Sequence, residues 1–194
     1  MTNAVFRSLV LASAIAALLS PAGQAAPVRY SLDAAASKVG FETRFGPDAI
    51  TGSMPVAKAD LTVDFEKLAA SRVSVALDVA NAEASFPFAA QAMKGPKVLD
   101  AADYPQITFV STAVRARNPS EAQIDGDITI RGVTRPITFD ASIWRQQGSE
   151  SGDLSRLTIR LVGTINRSDF GAVGWNDMVA DEVKLDIRAR ISRD

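Results

Sequence analysis

Between residues 124 and 139 the chain alternates apolar and polar positions on both sides of a break at Gly132. Ile124, Gly126, Ile128 and Ile130 fall on one face, and Asp125, Asp127, Thr129 and Arg131 on the other. A period of two residues predicts a strand with one dry and one wet face. After residues 132–136, which read Gly-Val-Thr-Arg-Pro, the alternation resumes with Ile137, Phe139, Ala141 and Ile143 opposite Thr138, Asp140 and Ser142. Two amphipathic strands joined by a short Gly- and Pro-containing connection predict a hairpin.

The same period recurs along the chain. It runs from Val28 to Asp33, then places Val39, Phe41 and Phe45 opposite Lys38, Glu42 and Arg44. Gly46, Pro47 and Asp48 break the chain, and from Val56 to Phe65 the residues Ala57, Ala59, Leu61, Val63 and Phe65 oppose Lys58, Asp60, Thr62 and Asp64. Val73, Val75, Leu77 and Val79 form a fourth dry side, and Ile107, Phe109 and Ser111 a fifth. Late in the chain come Leu157, Ile159, Leu161, Gly163 and Ile165, and then Val183, Leu185, Ile187, Ala189 and Ile191. Only between residues 80 and 105 does the pattern fail. There, residues 86–94 are rich in helix formers and are closed by Gly95 and Pro96, which predicts a short helix.

About eight or nine such strands and one helical excursion predict an all-β fold whose dry faces share one interior. A closed antiparallel barrel does this without leaving a free edge, and a two-sheet sandwich fits the alternation nearly as well.

At the N-terminus, Arg7 precedes an apolar run over residues 9–19 and then Ser20-Pro21-Ala22-Gly23-Gln24-Ala25, the layout of a secretory signal peptide cleaved after Ala25. An uncleaved anchor is the alternative, although the run is shorter than the roughly 20 residues of a span. The expected organisation is residues 1–25 as signal peptide and 26–194 as one domain, with no membrane span in the mature chain. A formal net charge of −1 and the lack of a basic cluster argue against nucleic acid. With no Cys the exported chain has no disulfides, so its stability comes from a core. The absence of His rules out Ser-His-Asp and Cys-His arrangements and His-ligated zinc.

Several motifs resemble one known family. They are Tyr30-Ser31-Leu32-Asp33 followed by residues 37–41, Asp103-Tyr104-Pro105 running into 106–112, Gly126-Asp127 running to Pro136, Arg167-Ser168-Asp169-Phe170-Gly171, and Asp181-Glu182-Val183. In this order, and across nearly all of the expected mature chain, they look like the YceI family. The resemblance implies a lipocalin-like antiparallel barrel of about eight strands with a long apolar interior that holds a polyisoprenoid. It also implies a secreted, periplasmic protein without catalytic activity or cofactor. The sequence departs from the family at residues 96–103, where many relatives carry an acidic-aromatic run.

The alternation directs Val39, Phe41, Phe45, Leu61, Val75, Leu77, Ile107, Phe109, Ile128, Ile130, Phe139, Ile159, Leu161, Val183, Leu185 and Ile187 inward as candidate lining of a ligand site. The same residues would equally fill a solid core. Phe86, Phe88, Met93, Phe170, Trp175 and Met178 have no strand face to explain them and are candidates for a cap or gate, or for a lid packed permanently on a barrel end. Asn166, Arg167 and Asp169 would either meet a head group at the rim or hold a loop. Asp125 and Asp127, and the acidic residues of 177–182, are the groupings that suggest metal, but alternation assigns the first two to solvent. No metal site is therefore expected. Asp60 with Asp64, or Asp100 with Asp103, are the pairs available to a carboxylate-dependent hydrolase. The leading expectation is a periplasmic carrier of an isoprenoid lipid, quinone or precursor. A homodimer through an exposed strand edge is also compatible with the sequence. The alternatives are a hydrolase of cell-envelope material and a solid-cored assembly module.

Overall fold

Wherever the sequence alternates, the computed structural model has a strand; it describes residues 27–194, so the expected signal peptide lies outside the described residues. The strands are β1 (Val28–Leu32), β2 (Lys38–Phe45), β3 (Asp48–Met54), β4 (Val56–Val63), β5 (Arg72–Asp78) and β6 (Glu83–Ala84). Helix α1 (Pro87–Lys94) follows, and then β7 (Gln106–Asn118), β8 (Glu121–Ile130), β9 (Val133–Arg145), β10 (Arg156–Asn166) and β11 (Val179–Arg193).

All pairings are antiparallel, and the ring β1-β4-β5-β7-β8-β9-β10-β11 closes where Tyr30 pairs with Arg193 and Leu32 with Ile191. This closure makes an eight-stranded barrel and excludes the open sandwich. The first strands are long ones interrupted. β1 and β2 lie end to end along β11, Leu32 opposite Ile191 and Lys38 opposite Arg188. The break between them is a turn in which the Asp33 carboxylate accepts the Ala36 N–H at 3.1 Å. β3 and β4 are likewise one strand divided at Pro55, which has no N–H to give to a ladder. Together β2, β3 and β6 extend the wall beyond the ring at the end where α1 sits.

Three local expectations need correction. The break expected at residues 46–48 is only the turn, and β3 begins at Asp48, with Ile50 and Met54 on the dry side. In β4 a bulge between Val56 and Lys58 resets the alternation, so Val56 faces in and Ala57 is exposed. Two residues opposite one is what a bulge does to a two-residue period. The hairpin connection is also shorter than expected, because Arg131 and Gly132 alone make the turn, with φ of 51° and 73°. Paired positive φ values match the twist of the flanking strands. β9 therefore starts at Val133, and Pro136 pairs opposite Asp127 in a stretch of β9 that β10 leaves unpaired. An edge stretch of this kind tolerates a residue without an N–H.

The helix forms where the alternation stops, with Pro87 at its first position and Gly95 at its end. None of its residues is buried. No helix among the described residues is long and apolar enough to cross a membrane.

Buried side chains gather at the two barrel ends. At the base, Tyr30, Leu61, Leu157 and Ile191 pack together, and the Tyr30 hydroxyl donates to the Leu154 carbonyl at 2.9 Å. At the helix end, Val79, Leu99, Ile107, Ile128, Ile130, Ile137, Phe139 and Phe170 form the second cluster. Between them the inward residues of β2, β10 and β11 are only partly buried, although no water-facing surface explains it. Their exposed area faces a hollow.

Candidate functional site

The hollow is a cavity of about 580 Å³ bounded by the inward faces of the whole ring. It runs from Leu61, Val63 and Ile191 at the base to Phe45, Phe86, Phe88 and Met178 at the helix end. On β11 it is lined from Val179 to Ile191. At about 3.3 Å per residue and a strand tilt of 35–45°, that stretch spans roughly 30 Å along the barrel axis. The stated volume over that length describes a narrow bore.

Every residue the alternation directs inward as a lining candidate lines this cavity, from Val39 and Phe41 on β2 to Leu185 and Ile187 on β11. The cap candidates line it too, in different ways. Phe170 is fully buried in the upper cluster, and Met93 packs against that cluster. Phe86 and Phe88 are 51% and 74% exposed, and Met178 is 45% exposed. Sequence reasoning missed the contributions of Ile50, Met54, Val98 and Leu99. Val98 and Leu99 were legible only as an apolar pair in a polar loop.

Glycines keep the bore open. A Cβ on Gly126 would lie 2.4 Å from the Phe109 ring, one on Gly52 2.2 Å from Phe41, and one on Gly163 2.8 Å from Phe139. Each phenylalanine thus leans over an inward glycine on an adjacent strand, where a β-carbon would lift it into the lumen. Phe109 and Phe139 also meet edge to face at 5.4 Å.

Two arginines fasten the helix end. Arg167 is 8% exposed, and its guanidinium donates to the carbonyls of Ala172, Gly174, Val179 and Ala180 at 2.5 to 3.0 Å. It therefore holds the loop over residues 171–178, and no carboxylate meets it. Arg131 donates to the carbonyls of Pro96 and Val98, both at 2.8 Å, and the Gly174 N–H joins the two loops through the Lys97 carbonyl. Asn166 and Asp169 are exposed at the surface.

The acidic residues are engaged elsewhere. Asp125 pairs with Arg115 and accepts the Thr138 hydroxyl on the outer wall. Asp181 accepts the Ser168 N–H and hydroxyl. Asp60 is exposed, whereas Asp64 is buried in a turn, accepting the N–H groups of Glu66 and Lys67. Among the described residues Asp48 is the single carboxylate lining the bore. On the outer wall the Arg160 guanidinium, hydrogen-bonded to Asp186, holds that carboxyl below its usual range.

Comparison with known proteins places this geometry. The YceI-like domain family model matches residues 30–191. A UPF0312 protein of Pseudomonas putida strain W619 is 31% identical over 177 residues, covering 90% of each chain. Protein YceI of Escherichia coli O157:H7 is 27% identical over 164 residues, covering 83% of this chain and 85% of that one. Among solved structures, Burkholderia cenocepacia BcnA superposes with a TM-score of 0.73 at 24% identity, covering 82% of this chain and 99% of that one. A polyisoprenoid-binding domain from Saccharophagus degradans does so at 0.63 and 13% identity, covering 86% and 99%.

Proposed function

The chain belongs to the YceI-like domain family, and on that premise we propose that it is a periplasmic carrier holding one long apolar chain in its barrel. The ligand class is an isoprenoid lipid, an isoprenoid quinone or a precursor of one. The observation that carries this reading is the bore itself, long, narrow and lined from base to mouth by apolar side chains. A solid-cored module would have no such space. Affinity would come from apolar area removed from water, at roughly 25 cal/mol per Å², which needs few polar partners. The polyisoprenoid-binding domain from Saccharophagus degradans has the same fold, and its ligand class suits a bore of this shape. Export through the N-terminal apolar run would deliver the protein to a compartment where such lipids move between membranes.

We read the protein as a binder and not an enzyme, because hydrolysis by paired carboxylates needs two acids within reach of one bond. Among the described residues Asp48 stands alone in the lining. Native mass spectrometry and lipid extraction of the purified protein test the reading. A bound prenyl lipid, or uptake of a prenyl quinone from detergent, is the expected result. The absence of both co-purifying lipid and uptake would sink it.

A further inference from the structure

We propose that the mouth of the bore is a docking surface for a lipid bilayer with neutral head groups. The inference rests on the carrier reading and concerns how the cavity is loaded. Phe45, Phe86, Phe88 and Met178 line the cavity and are also 41% to 74% exposed. Hydrogen bonds make them one patch. The Gly46 N–H donates to the Met178 carbonyl at 3.1 Å, bringing the end of β2 beside the 171–178 loop. The Ser85 N–H donates to the Thr51 carbonyl at 2.7 Å, bringing Phe86 beside β3. Val173, 54% exposed, belongs to the same loop.

A rim continuous with an apolar bore lets a chain leave the bilayer without crossing water. Aromatic side chains on a short helix insert readily at the boundary between head groups and acyl chains. The charges nearby are mixed, Arg44, Lys94 and Lys97 against Asp48, Glu83 and Asp177, and Lys94 already donates to the Ala80 carbonyl at 2.9 Å. With no basic ring present, apolar insertion and not attraction to anionic lipid would hold the surface.

The two tryptophans report on orientation. Trp175 lines the bore at the mouth, while Trp144 is half-exposed near the base, where it pairs with Thr158. W144F and W175F each leave one reporter, to be mixed with phosphatidylcholine vesicles carrying brominated acyl chains. Quenching of Trp175 but not of Trp144 is expected. F86S/F88S should lower vesicle partitioning on the order of tenfold for each phenylalanine. Both side chains are exposed, so circular dichroism should stay unchanged, whereas V110S on the outer wall should partition like the parent and keep prenyl uptake from detergent.

Equal quenching of both tryptophans, or of Trp144 alone, would overturn the proposal; β1 starts at the base, so an N-terminal anchor would act from there. A concentration-dependent dimer lost in F86S/F88S, without vesicle binding, would assign the patch to a second copy and also overturn it. Prenyl uptake without docking defeats this inference alone. Docking without uptake supports it and defeats the carrier reading.

Discussion

The smallest features of this barrel decide how much space it keeps. Gly126 supports Phe109, so Gly126→Ala is expected to push the ring into the lumen. Overpacking of this kind costs about 1–3 kcal/mol. A lower denaturant midpoint together with weaker uptake of prenyl quinone would be the paired readout, and an unchanged midpoint would show that the ring has room to move. Arg167 satisfies four carbonyls, so Arg167→Met removes that donor from the buried carbonyls of Ala172 and Gly174 and from Val179, while Ala180 keeps the Thr43 hydroxyl at 3.3 Å. The expected loss is about 3 kcal/mol or more. Hydrogen exchange should then accelerate over residues 172–180 before it does so elsewhere.

At the level of single elements, the two faces of a strand have opposite tolerances. Ile187 points into the bore from β11, whereas Val162 on β10 is exposed. Ile187→Glu puts a charge in an apolar lumen, a placement that costs several kcal/mol unless the group stays protonated. It should abolish lipid co-purification, while Val162→Glu should leave it intact; mass spectrometry of the two purified variants compares them directly. Helix α1 has no buried residue, so Phe88→Ala should shift unfolding stability by no more than about 0.5 kcal/mol. Phe88 covers the mouth without anchoring the fold, and a large loss in thermal unfolding would contradict that.

For the molecule as a whole, acid should be the destabilising direction. Hydrogen bonding by Asn81 holds Asp78 low, Ser155 does the same for Asp153, and Arg160 for Asp186. The folded chain therefore binds these protons less readily than the unfolded chain does. The stability they contribute is present above the ordinary carboxylate value of 3.8 and is lost as pH falls through their lower folded values. Asp186 is exposed and Asp78 and Asp153 are only partly buried, so each effect is small. Thermal unfolding followed from pH 6 down to pH 2 should show a midpoint that declines below about pH 4.

Much of this was legible in the chain itself. A two-residue period states which side chains share a face, and because a barrel has one inside, the residues on those faces became its lining. The helix was readable from its run of helix formers closed by Gly95 and Pro96, for an equally local reason. Other features depended on contacts between distant segments. The bulge at Ala57 and the strand character of residues 48–54 are set by pairing partners, and Arg167 reads as a rim residue until the loop carbonyls close around it. Whether the interior is solid or hollow was beyond the alternation. It depended on how far the ring opens and on which phenylalanines lie over glycines, so only the tertiary structure turned a dry face into a bore.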